Sequence, residues 1–116
     1  MSRARAGGTE LRTLLSGLAL GESPRWHQGR LWCCDWGARE VLAVDLEGRR
    51  ETIARLPSFP FCIDWLPDGT LLVVNETRVL RRRRGGGLAT HADLSALSPH
   101  RWNEIAVDRR GNAYVN

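Results

Sequence analysis

The sequence has 116 residues, 42% of them hydrophobic and 26% charged, which suits one globular domain with a core of modest depth. Its formal charge of +4 sets 17 arginines, with no lysine, against 13 acidic residues, and without the run Arg81–Arg84 the two signs balance. Basicity confined to one patch argues against specific nucleic-acid binding, which wants a spread basic face, and no stretch approaches the ~18 apolar residues of a membrane span.

Residues 1–10 read as an N-terminal tail and residues 11–116 as one folded unit. The early arginines followed by Leu14–Leu15 and Leu18–Leu20 faintly imitate a secretion signal. Arg12 shortens the apolar part, however, and no small-residue cleavage site follows, so the expected location is the cytoplasm. Residues 11–16 read as a strand. Short apolar runs then succeed one another: Arg30–Asp35, Glu40–Asp45, Glu51–Leu56, Phe61–Leu66, Thr70–Asn75, Thr77–Arg82 and Leu88–Ala92. Turn signals separate them, among them Trp36-Gly-Ala38, Glu47-Gly-Arg49 and Pro67-Asp-Gly69. Only Asp93–Leu97 reads as a helical turn, with Asp93 or Ser95 as its cap. Arg81–Arg84, followed by Gly85–Gly87, reads as the end of an outer strand running into an exposed hairpin, although such a run can also grip phosphate.

Three phrases repeat: Trp26-His-Gln-Gly29-Arg-Leu-Trp, Trp65-Leu-Pro-Asp-Gly69-Thr-Leu-Leu and Val107-Asp-Arg-Arg-Gly111-Asn-Ala-Tyr. Their glycines stand 40 and 42 residues apart, the period of a four-stranded propeller blade. The expected fold is therefore all-β: a partial β-propeller of about two blades and the start of a third, read as a fragment because propellers have four to eight blades. The rival is a small all-β domain with an accidental repeat. Cys33, Cys34 and Cys62 form an odd set with no C-x-x-C spacing, so they read as buried thiols in a reducing compartment. His27, His91 and His100 lack metal-ligand spacing and read as surface or strand residues. Ser23 lacks the setting of a nucleophile elbow.

Two segments carry polar groups suited to chemistry. Glu22 lies in Gly21-Glu-Ser-Pro-Arg-Trp26, where Pro24 favours an extended approach to the next strand. A carboxylate just ahead of an inner strand projects toward a propeller axis; the plain reading is a solvated loop glutamate. In Arg101-Trp-Asn-Glu104, alternation puts Arg101 and Asn103 on one face, a guanidinium and an amide suited to an oxygen-rich ligand. The plain reading there is a turn asparagine and a surface arginine.

Gly21–Trp26, Gly29-Arg-Leu-Trp32, Asp68–Val74, Arg101–Glu104 and Val107–Tyr114, taken in order, resemble landmarks of the gluconolactonase, regucalcin and luciferin-regenerating enzyme family, from about Leu14 to the last residue. The resemblance implies a six-bladed propeller with one divalent metal in its central channel. It makes Glu22 a metal ligand, Asn103 a residue bordering the metal and contacting substrate, and Arg101 a substrate contact. Glu104 stands where the family often has aspartate. A further asparagine and an aspartate, the latter a candidate general base, belong to later blades of the family. The ion implied is calcium, magnesium, manganese or zinc, and the activity is metal-dependent hydrolysis of a sugar lactone or similar cyclic ester by the full-length form, with this chain alone expected to be inactive. The alternative is a non-catalytic propeller that binds a ligand or protein partner. The reading frame beyond Asn116 discriminates the two.

Overall fold

The computed structural model describes residues 3–116, with residues 4–6 described by their backbone alone. Every regular element among them is a strand. A first hairpin pairs β1 (Arg3–Ala6) with β2 (Thr9–Arg12) across Gly7-Gly8, whose φ values of 54° and 82° suit a two-residue turn closed by left-handed residues. An Arg3–Glu10 ion pair at 2.9 Å spans it. The segment expected as a tail thus holds β1 and the start of β2. Of the strand expected over 11–16, only Leu11 and Arg12 are in a strand, and that strand pairs with β1.

Two four-stranded antiparallel sheets follow. The first runs in order through β3 (Gly21–His27), β4 (Arg30–Asp35), β5 (Glu40–Val44) and β6 (Arg50–Arg55). The second runs through β7 (Phe61–Trp65), β8 (Leu71–Asn75), β9 (Arg78–Arg82) and β10 (Leu88–Asp93). A pair, β11 (Ile105–Val107) and β12 (Ala113–Val115), stands against the second sheet. The repeating glycines Gly29, Gly69 and Gly111 sit in the equivalent hairpins β3–β4, β7–β8 and β11–β12, with φ of 75°, 89° and 87°. Residues 93–97 form a single turn in which Ser95 N–H donates to Asp93 Oδ1 (2.9 Å) and Leu97 N–H to the Leu94 carbonyl (2.9 Å).

Strand alternation gives each face of the second sheet its own core. Phe61, Ile63, Leu71 and Val73 pack with Trp32, Cys34, Val41, Ala43 and Ile53 of the first sheet and with Leu56 just beyond it. Their neighbours Cys62, Leu72, Val74 and Val79 turn the other way and pack with Ile105. Full burial of a side chain such as Phe61 stabilises by about 1.5–3 kcal/mol. The first strands β3, β7 and β11 adjoin, and side chains bolt them together: Ile63 N–H donates to Ser23 Oγ (3.2 Å) and Val107 N–H to Asp64 Oδ2 (2.7 Å). The architecture is all-β and that of a partial propeller, with successive antiparallel blades stacked face to face.

Candidate metal and substrate site

Glu22 begins at a β-bulge. Opposite Cys34 and Trp32 of β4, the residues Glu22 to Arg25 of β3 contain one extra residue. Ser23 absorbs it with φ of 53°, unusual for a residue bearing a Cβ, and is 3% exposed. Buried Ser23 and exposed Glu22 therefore take opposite environments within two residues. The Glu22 carboxylate has no ion-pair or hydrogen-bond partner among the described residues, which leaves it available to a ligand.

Asp35, at the end of β4, fixes the approach to this bulge. Its carboxylate accepts from Ala19 N–H (3.1 Å), Leu20 N–H (3.0 Å), Gly37 N–H (3.1 Å) and Ala38 N–H (3.2 Å). Burial pushes its pKa up, but these four bonds outweigh burial and hold it below the usual carboxylate range. Gly37 is required here for space, because a Cβ would overlap that of Ala19.

A run of contacts carries the same rim across to Asn103. Trp36 N–H donates to the Leu20 carbonyl (2.8 Å), and its indole N–H to the Phe61 carbonyl (2.7 Å). The Trp36 ring stacks with Phe59 at 6.2 Å, and the Phe59 carbonyl accepts from Arg101 Nη1 at 2.7 Å. Trp102 N–H donates to the Glu76 carbonyl (2.9 Å), while Asn103 N–H donates to the Asn116 carbonyl (2.6 Å). Trp102 packs on the second core, and Arg101 and Asn103 are exposed. The fold thus brings Glu22, Arg101 and Asn103 to one end of adjoining blades. Arg101 spends one donor on Phe59 and keeps the others.

Glu104 leans against the starts of β3 and β7. It lies 3.6 Å from Arg25 and hydrogen-bonds the Cys62 thiol, whose pKa is pushed up to about 12, first by burial and then by this carboxylate, against the pull of Ser23 and Arg25. Cys34 is likewise driven far upward, by burial first and then by Cys62 and Cys33. Both remain protonated thiols at neutral pH and make poor nucleophiles. Nothing local in the sequence marks Ser23, Asp35 and Asp64 as the side chains that set this geometry, since the bonds with which they tie separate segments together span 15 to 43 residues.

Exposed carboxylate and amide oxygens match a hard divalent cation. The set is nonetheless short: among the described residues, no three His, Cys, Asp or Glu side chains cluster closely enough to hold a metal ion. Glu22 and Asn103 can supply part of a donor set and no more.

The sequence model of the SMP-30/gluconolactonase/LRE-like region matches residues 20–116. The chain belongs to that family. Among solved structures, a calcium-binding protein, regucalcin from Agrobacterium tumefaciens strain C58, superposes on this family member with a TM-score of 0.67 at 24% identity. The match covers 86% of the present chain and 35% of regucalcin, so the chain spans about a third of that protein's length. No protein in the search of curated proteins matches it.

Proposed function

We propose that this chain supplies the first part of a metal-dependent lactone hydrolase, with Glu22 as a charged metal ligand, Asn103 as an amide ligand or substrate contact and Arg101 as a substrate contact. What supports it most is that Glu22 lies at the start of β3, and Arg101 and Asn103 just ahead of β11 in the adjoining blade, with no ion-pair partner for the Glu22 carboxylate among the described residues. A divalent ion bound at such a site polarises a lactone carbonyl and lowers the pKa of bound water. The chain's own residues serve to hold and orient: Glu22 supplies negative charge at the rim, and the remaining Arg101 donors suit the oxygens of a sugar-like ring. The proposed substrate is a small lactone, the proposed ion calcium, magnesium, manganese or zinc, and the proposed location the cytoplasm, where three free buried cysteines stay reduced.

Calorimetric titration with each of these ions, together with acid release from a sugar lactone by the product of the whole reading frame, tests the reading. Glu22→Gln is expected to weaken metal binding by about ten-fold or more, because a charged ligand becomes neutral, and to lower the metal-dependent rate in parallel. Metal binding without turnover in the whole product supports the binding-module alternative. A rate indifferent to both metal and Glu22 overturns the proposal.

A further inference from the structure

At the opposite end of the blades, the β3–β4, β7–β8 and β9–β10 hairpins enclose a cleft of about 550 Å3. It is separate from the rim above, since His27 on its floor lies about 15 Å along β3 from Glu22. Its floor is rigid: His27 and Trp65 stack at 3.9 Å with an interplanar angle of 9°, and Trp32 meets both edge-on at 5.7 and 5.2 Å. Its wall is Arg82, Arg83 and Arg84.

The positive charge in the cleft is only partly compensated. Arg30 lies over the Trp32 ring at 5.0 Å, but Glu51 neutralises it at 2.7 Å. Asp68, the only carboxylate on the lining, holds the Thr70 N–H of its own turn at 2.9 Å. His27 adds no charge at neutral pH, because burial lowers its pKa, with Asp64 opposing and Arg30 adding to the effect. Arg82, Arg83 and Arg84 have no ion-pair partner among the described residues. The Arg82 Nε, moreover, is enclosed without an acceptor. An N–H withdrawn from water with nothing to donate to is costly, so this guanidinium is left short of an acceptor. Gly87, with φ of 81°, leaves room for the Arg83 guanidinium, whose Nη2 would stand 3.3 Å from any Cβ there.

We propose that this cleft binds a small molecule bearing a multiply charged oxyanion, a phosphate ester or polyphosphate, gripped by Arg82–Arg84 over the tryptophan-lined floor. Guanidinium forks fit phosphate oxygens in pairs, and the volume falls in the range of small-ligand sites. Calorimetric titration of the chain with tripolyphosphate tests this. Phosphatidylcholine vesicles containing a phosphoinositide, and a mixed-sequence DNA duplex, serve as separate arms. One saturable tripolyphosphate site is expected, weakened about ten-fold or more in Arg83→Gln/Arg84→Gln. Arg109→Gln/Arg110→Gln, which removes the same charge from the exposed β11–β12 hairpin, should leave the affinity nearly unchanged. Equal losses in the two double variants mean that binding follows net charge alone, and overturn the site. Binding to vesicles or duplex with no saturable uptake of the free anion also overturns it.

Discussion

Asp35 is 2% exposed, and its four N–H partners come from two segments, Ala19–Leu20 and Gly37–Ala38. Asparagine at this position keeps the shape but loses the charge and one acceptor, leaving buried donors poorly served. Asp35→Asn should therefore lower stability by about 1.5–3 kcal/mol, measured by urea unfolding at neutral pH. The same bonds make Asp35 a source of acid sensitivity. Its folded pKa is depressed, so the folded chain takes up this proton less readily than the unfolded one. Its stabilisation is present in full above the ordinary carboxylate range, about pH 4, and is lost as pH falls through the folded value. Below pH 4 the urea midpoint of the parent chain should fall more steeply than that of Asp35→Asn. Equal slopes would show that the carboxylate is not held this way. Residues of this kind were the least legible part of the sequence. Glu22, Arg101 and Asn103 stood out through short motifs, whereas Asp35 resembled any strand-ending aspartate, and Ser23 gave no sign that it would be buried at positive φ to reach Ile63.

Strands and turns were far easier to read, because period-two alternation and turn residues are local signals. Four hairpins even close by one pattern: Asp45, Leu66, Arg83 and Asp108 each donate N–H to the carbonyl four residues on and accept from a glycine three residues on. In Asp108 the side chain reinforces the turn, and bonds from Asn112, Tyr114 and Arg110 draw its pKa down to about 2 against a smaller opposing effect of burial. The β1–β2 hairpin escaped the reading because its strands are four residues each and carry one large apolar side chain, Leu11, although Gly7-Gly8 was itself a turn signal. Glycines that look alike in sequence also do different jobs. Gly29 is required for its φ of 75°, with nothing within 4 Å of a Cβ; Gly37 is required for close approach to Ala19. Asparagine tolerates the left-handed region, so Gly29→Asn should cost less than about 1 kcal/mol, while Gly37→Asn should cost about 1–3 kcal/mol through overpacking. Thermal unfolding of the pair checks the order, and equal costs would refute the distinction.

The radius of gyration is 15.2 Å, against about 13 Å for an ordinary globule of this length, and the principal extents are 50 × 31 × 28 Å. Side-by-side stacking of sheets gives this elongated form and spreads stability unevenly. Strands β4, β5, β7 and β8 hold most of the fully buried side chains, whereas β1–β2 and β11–β12 are two-stranded ribbons, marginal on their own, and Tyr114 is 60% exposed. Amide hydrogen exchange should reach its greatest protection in those four central strands and be about a hundred-fold or more faster in β2 and β12. Uniform protection would mean that the chain opens only as a single unit.

Strand β7 is a wall shared by two rooms. Phe61 and Ile63 furnish one core and Cys62 the other, while Asp64 reaches out to Val107. A single residue added within β7 would send every later side chain into the wrong room and unhook the third sheet as well. The same insertion at the Arg84–Gly86 tip changes neither core. Insertions should therefore be tolerated best at the hairpin tips, including those around the arginine-walled cleft, and worst within the inner strand that two cores share.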